Sequence, residues 1–176
     1  RHRPHGACAV AAPSGLAAWE PDALPAGALE QAAAAEIEEL FTLARSRMPD
    51  GVAPAPFAVD PRAHLLGVRD GLPFAADFTA VCSGPRGALL GVAAARLGCG
   101  GPRSEWRPPS PDLSDAFITR VLSVAGEPLD DATRRVVGAT RLLDLAVTAV
   151  SGVGASPGSA ATLVLRYAER YLVVRG

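Results

Sequence analysis

The residue types best suited to chemistry open the sequence, in the segment RHRPHGAC. His2, His5 and Cys8 follow one another at intervals of three, and each could bind a transition metal such as zinc. A structural zinc site usually has four protein ligands, and no fourth ligand lies near these three in the sequence. We therefore predict no resident metal, with these residues as weak candidates only, and no cofactor.

A second pair with chemical potential is Cys82 with His64, which would form a thiol–imidazole dyad if the fold brought them together. A nucleophilic thiol needs a nearby base and a lowered pKa. A hairpin centred on Gly71 would place His64 opposite Phe78, short of Cys82. We interpret Cys82 as a small buried apolar residue. The sequence thus predicts no catalytic residue and favours a protein that is not an enzyme.

The segment SGVGASPGSA, residues 151–160, could be a phosphate-binding loop or a plain connector. Its glycines have the spacing G-x-G-x-x-x-G, which is neither the dinucleotide-binding nor the Walker pattern, and no lysine follows. A phosphate loop also needs a strand before it. Because we predict helices on both sides, the connector of an αα-hairpin is the favoured interpretation.

An interface is indicated by the loop CGGPRSEWRPPSP, residues 99–111. Trp106 lies there between Arg103 and Arg107, and tryptophan and arginine are typical anchors of protein interfaces. The alternative is that Trp106 folds back onto the core. Trp19 would similarly fix an irregular N-terminal arm, residues 1–24, to the rest of the chain.

The same loop leaves a ligand-binding alternative open. Arg103, Arg107 and His64 could hold an anionic small molecule in a cleft between a sheet and the helices.

Charge and composition argue against several classes of protein. All 17 basic residues are arginine, yet the net charge is −1 and no basic stripe occurs, so we predict no nucleic-acid partner. No apolar run approaches the ~20 residues that a bilayer crossing needs, so we predict no membrane insertion. The three widely spaced cysteines predict free thiols in the cytoplasm or another reducing compartment.

The absence of lysine and asparagine favours a GC-rich coding sequence, as in bacteria such as actinobacteria or in large DNA viruses. Because the sequence begins with Arg1, we expect a fragment or a processed form of a larger protein.

The pattern of elements predicts an α+β fold, with residues 25–176 forming a single globular domain. Short apolar runs separated by turn signals predict a small antiparallel β-meander at about 57–98, although its alanine-rich third run could be helical. Apolar periodicity predicts helices that pack against it, at about 25–48, 112–125, 131–150 and 159–172. The predicted core stripes include Ile37, Leu40, Phe41 and Ala44 in the first helix and Leu113, Ala116, Phe117, Val121 and Val124 in the second. Asp112 and Asp130 are the predicted N-caps of the second and third helices, and Arg141 and Asp144 belong to the predicted polar face of the third. For residues 159–172 a strand remains the alternative, because valine, tyrosine and threonine are frequent there.

Together these features favour a non-catalytic protein–protein interaction or assembly module, whose partner is another protein or a second copy of itself. Two alternatives stay open: a domain that binds or converts an anionic small molecule, and a regulatory domain of a larger enzyme.

Overall fold

The computed structural model describes residues 31–58, 66–69, 72–75, 81–97, 107–126, 128–150 and 157–175. These residues form six helices and four strands, in the order α1 (Gln31–Arg47), β1 (Pro54–Ala58), β2 (Leu66–Arg69), β3 (Leu72–Ala75), β4 (Val81–Pro85), α2 (Ala88–Ala95), α3 (Pro111–Ala125), α4 (Asp131–Val150), α5 (Pro157–Arg166) and α6 (Ala168–Leu172). The described part is mostly helical with small antiparallel sheets, which agrees with an α+β fold.

The strands form two separate antiparallel pairs. β2 pairs with β3 so that Arg69 lies opposite Leu72, and Asp70 and Gly71 are the two residues that connect them. This confirms the hairpin that the Asp-Gly pair predicts. β1 pairs with β4. The β2–β3 hairpin therefore lies, in sequence, between the two strands of the other pair. The predicted three-stranded meander over 57–98 is therefore wrong.

The third predicted strand of that meander is the helix α2, which confirms the helical alternative for this alanine-rich run. Its sequence, ALLGVAAA, is rich in alanine and leucine, the residues with the highest helix propensity. α2 packs closely on α4, because a Cβ atom at Gly91 would lie 2.5 Å from the Val137 carbonyl oxygen. Only glycine permits this close approach of the two helices.

β1 begins inside the proline-rich segment that the sequence predicts to be a connector. The Ala53 carbonyl accepts the Arg86 N–H at 3.0 Å, so alternate residues from Ala53 onward direct their backbone polar groups toward β4. Pro54 and Pro56 occupy the other alternate positions, where the pairing with β4 needs no N–H. Proline is tolerated in a strand under this condition.

Helix α4 lies at the centre of the described part, because it contributes to all three clusters of buried apolar side chains. Around it pack α1, α2, α5 and α6. The predicted core face of α1 is confirmed, since Ile37, Leu40, Phe41 and Ala44 are buried. The predicted polar face of α4 is wrong at two positions, because Arg141 and Asp144 are buried as well.

Two helix starts illustrate how local chemistry sets the boundaries. Asp130 caps α4, as predicted, by accepting the Thr133 N–H at 2.6 Å; this bond holds the pKa of Asp130 below its ordinary value. α3 is capped by Ser110, whose Oγ accepts the Leu113 N–H at 3.2 Å, and not by Asp112 as the sequence suggests. Pro111 occupies the first helical position, which suits a residue without an N–H.

The C-terminal segment is helical, which decides against the strand alternative for 159–172. α5 begins at Pro157, two residues earlier than expected, and Tyr167 separates it from α6. The glycine-rich residues 151–156 lie outside the described residues, but α4 precedes them and α5 follows them. Helices on both sides agree with a connector, since a phosphate loop would follow a strand.

Candidate functional site

Most of the site residues that the sequence suggests lie outside the described part of the chain. These are His2, His5, Cys8, Trp19, His64, Arg103 and Trp106. Arg107 is described and is exposed just before α3. The interface and ligand roles of these residues therefore stay predictions.

The most densely bonded polar group is Arg141, which the sequence places on a solvated face and which is fully buried. Its Nη1 donates to Asp115 Oδ1 at 2.7 Å and to Ser114 Oγ at 3.1 Å. Its Nε donates to the Tyr171 carbonyl at 2.7 Å, and its Nη2 donates to the Tyr171 and Val173 carbonyls. One guanidinium thus joins α4 to α3 and to the end of α6.

This arrangement explains how a charge is tolerated in the core. The last carbonyls of a helix have no partner within the helix, and a cation there also suits the helix dipole. Burial lowers the pKa of Arg141, and the hydrogen bond that Arg141 donates to Asp115 opposes that change. All five N–H groups of a guanidinium are matched by acceptors here, so Arg141 has a structural role and no donor left for a ligand.

Tyr171 completes the Arg141 cluster. Its hydroxyl donates to the Pro109 carbonyl at 2.6 Å, which ties α6 to the residues just before α3. The ring lies 5.7 Å from the Arg141 guanidinium carbon. Burial raises the pKa of Tyr171 to about 12, so the hydroxyl stays protonated at neutral pH and keeps this bond.

A second charged pair connects α4 with the end of α2. Arg96 donates to both carboxylate oxygens of Asp144, at 2.8 Å and 2.7 Å. Two parallel hydrogen bonds of this kind are strong and directional. The sequence signals these two buried contacts only by placing two charged residues, Arg141 and Asp144, in the apolar run RLLDLA. The same pattern is typical of a solvated helix face, so it does not reveal that both residues are buried.

The outer face of α3 consists of Leu113, Ala116, Arg120, Val121 and Val124. Phe117 lies at the border of this face and packs, half-buried, against the core. Leu113 is 56%, Val121 37% and Val124 74% exposed. The sequence predicts a core stripe of Leu113, Ala116, Phe117, Val121 and Val124. This is wrong at every position except Phe117, which packs against a buried cluster. The opposite side packs inward instead, with Ile118 fully buried and Ser114 donating to the Ala94 carbonyl at 3.2 Å. α3 is apolar on two sides, so its periodicity cannot tell which side faces the core.

A cleft of about 540 Å³, here called the arginine cleft, lies where the end of α1, the start of α4 and the end of α6 meet. Three arginines and two acidic residues line it, together with an apolar wall; these are Arg47, Arg134, Arg135, Asp131, Glu169, Leu172, Val173 and Val174. The lining residues come from three distant parts of the sequence, so no local pattern indicates this cleft.

Ser156 in the glycine-rich segment has the sequence spacing of a hydrolase nucleophile. GASPG, residues 154–158, matches the G-x-S-x-G pattern around the nucleophile of serine hydrolases. In those enzymes a strand leads into the serine turn, whereas helix α4 precedes this segment. Ser156 itself lies outside the described residues, and the pattern lacks its required context.

Among the described residues, no group of three or more histidine, cysteine, aspartate or glutamate side chains could hold a metal ion. None of the helices they form is both long and apolar enough to cross a membrane.

No protein-family model matches the chain, and neither a curated protein nor a solved structure is significantly similar to it.

Proposed function

We propose that this chain is a non-catalytic interaction module that associates with a second copy of itself through the outer face of α3. The observation that carries the proposal is the exposure of Leu113, Val121 and Val124 on a helix whose other side is already buried. Water does not favour a row of large apolar side chains along one helix, and such patches commonly mark interaction sites.

An antiparallel pair of α3 helices is self-complementary along this face. If Leu113 packs against Val124 of the second copy, helical geometry places Ala116 against Val121, so that a small residue faces a larger one. The same register places Arg120 opposite Phe117 of the second copy. The Phe117 ring is half-buried in its own chain, and its exposed part would allow a cation–π contact. Arg120 is exposed and has no bonded partner among the described residues. A twofold axis makes each of these contacts occur twice.

The predicted anchor Trp106 fits the same interface by its position in the chain. It lies outside the described residues and precedes the helix cap Ser110 by four residues in the sequence, so it stays a sequence-based candidate for the same interface. The three widely spaced cysteines agree with an interaction module that works in a reducing compartment.

The proposal is tested by the molar mass in solution, measured by sedimentation over a range of concentrations. Leu113→Asp and Val124→Arg each place a charge in the proposed interface. Each charge also suits its end of the helix dipole, so α3 itself should remain folded. We expect the unsubstituted chain to dimerise with rising concentration and both variants to remain monomeric over the same range.

Thr42→Asp on the exposed side of α1 is the matched control, since it introduces the same charge on another helix. It should leave the dimer intact, and Trp106→Ala should weaken it. The proposal fails if the unsubstituted chain is monomeric at every concentration, or if Thr42→Asp dissociates the dimer as effectively as Leu113→Asp.

A further inference from the structure

We infer that the arginine cleft binds an organic carboxylate carried on an apolar group. This inference is independent of the proposed self-association, because the cleft and the outer face of α3 share no residue. It rests on three features of the cleft: guanidinium groups with unused donors, a small net positive charge and an apolar wall.

The first feature is the availability of donors on α4. Arg135 is exposed and makes no hydrogen bond or ion pair with any residue of the described part. Arg134 uses only its Nε, which donates to the Leu129 carbonyl at 3.2 Å. The remaining N–H groups of both side chains have no acceptor among the described residues. A carboxylate matches the planar fork of a guanidinium with two parallel hydrogen bonds.

The second feature is the balance of charge, which sets the charge of the ligand. Arg47 pairs with Glu169 at 3.3 Å, and both side chains are more than half exposed, so water weakens this pair. Asp131 offsets one further positive charge at the start of α4. Three arginines against two carboxylates leave one positive charge, which suits a monoanion better than a phosphate group with a charge of about −1.5 to −2.

The third feature is the wall formed by Leu172, Val173 and Val174. Val173 is 54% exposed, so a ligand could still cover apolar surface there. The volume of about 540 Å³ lies within the range of small-molecule pockets. An apolar chain attached to the carboxylate would pack on this wall, so binding should strengthen as the chain lengthens.

The cleft is also held in place by the core behind it. Arg141 binds the carbonyls at the end of α6, and a Cβ atom at Gly138 would lie 2.1 Å from the Leu172 carbonyl oxygen. The apolar wall is therefore fixed against α4, which carries both arginines with unused donors. A site built on such fixed elements loses little conformational entropy when a ligand binds.

The experiment is an NMR titration of the full chain at constant ionic strength with hexanoate, acetate and inorganic phosphate. We expect saturable shifts at residues of the cleft, with hexanoate binding more tightly than acetate or phosphate. Arg134→Gln and Arg135→Gln should each weaken hexanoate binding about tenfold, since each removes a charge-assisted hydrogen-bonding group. Arg166→Gln, which removes an exposed arginine from α5, should change the affinity less than about twofold.

Several results would overturn the inference. Shifts that stay linear in hexanoate concentration would mean that no site exists. Tighter binding of phosphate than of hexanoate would exclude the carboxylate assignment, and equal affinities for acetate and hexanoate would exclude a role for the apolar wall. Equal weakening by Arg166→Gln would mean that only general charge attraction is measured. Thermal unfolding of each variant checks that the substitutions leave the fold intact.

Discussion

Arg141 stabilises the fold through the number of its acceptors and not through its charge alone. Taking a guanidinium out of water is costly unless hydrogen bonds replace its hydration. Here the guanidinium donates instead to the carboxylate of Asp115, the hydroxyl of Ser114 and backbone carbonyls at the end of α6. The same carbonyls would be unpaired and buried without it, so the arginine and the helix end depend on each other.

Replacing Arg141 should therefore be among the most damaging single substitutions in the described part. Arg141→Met keeps much of the apolar stem but leaves Asp115 and the Tyr171 carbonyl without their donor. We expect a loss of about 3–5 kcal/mol in the free energy of unfolding, measured by urea denaturation at pH 7. Arg166→Met on the surface of α5 should cost less than about 0.5 kcal/mol. A loss below about 1 kcal/mol for Arg141→Met would show that the cluster contributes little net stability.

Tyr171 should make stability sensitive to alkaline pH. Its pKa in the folded chain is raised to about 12, above the ordinary value of 10, so folding favours the protonated hydroxyl. The corresponding stability is fully present below about pH 10 and is lost as the pH rises toward 12. Urea denaturation across this range should show a falling free energy of unfolding.

Tyr171→Phe is the control for this pH dependence, because it removes the titrating group and keeps the ring. The variant should lose the hydrogen bond to Pro109, at about 1 kcal/mol, and should show a flatter pH dependence above pH 10. If the slope of the variant equals that of the unsubstituted chain, another group causes the alkaline loss of stability.

At the scale of elements, a close contact between α4 and α6 depends on a glycine that helix propensity alone would disfavour. Gly138 lies inside α4, where alanine would be more favourable by about 1 kcal/mol. A Cβ atom there would lie 2.1 Å from the Leu172 carbonyl oxygen, a backbone atom that cannot move aside on its own. Gly138→Ala should therefore lower the free energy of unfolding by about 2 kcal/mol or more.

The control for Gly138→Ala is Ser123→Ala on the exposed side of α3, which should change stability by less than about 0.5 kcal/mol. Thermal and urea denaturation measure both variants. An increase in stability for Gly138→Ala would mean that α6 moves away easily and that the contact with α4 is not tight.

The elements that the sequence predicts correctly are those with local signals. The start of α4 and its apolar periodicity are encoded by residues in or next to the helix. The hairpin of β2 and β3 is likewise encoded by the two residues of its Asp-Gly turn. For α2 the sequence leaves strand and helix open, because a short apolar run looks the same in a buried strand and a buried helix. The orientation of α3 was wrong for a related reason: both of its sides are apolar, and only its neighbours decide which side is buried.

The arginine cleft and the Arg141 cluster are formed by residues that lie far apart in the sequence, so no local sequence pattern predicts them. Arg47 and Glu169 are far apart in the chain, yet they line one cleft with Arg134 and Arg135. Likewise, Arg141 resembles a surface residue until α3 and α6 enclose it. Burial of polar residues depends on how many elements surround a helix, and α4 is surrounded on nearly every side.

That central position predicts where the chain resists local opening. α4 belongs to every buried apolar cluster, whereas α3 buries one side only, so the amides of α4 should exchange with solvent only when the whole molecule unfolds. Hydrogen exchange at low protein concentration, where the proposed pair of α3 helices would be dissociated, should give residues 136–146 a free energy of opening equal to that from denaturation. The amides of α3 and of the β1–β4 pair should exchange faster. Slower exchange in α3 than in α4 would contradict a core centred on α4.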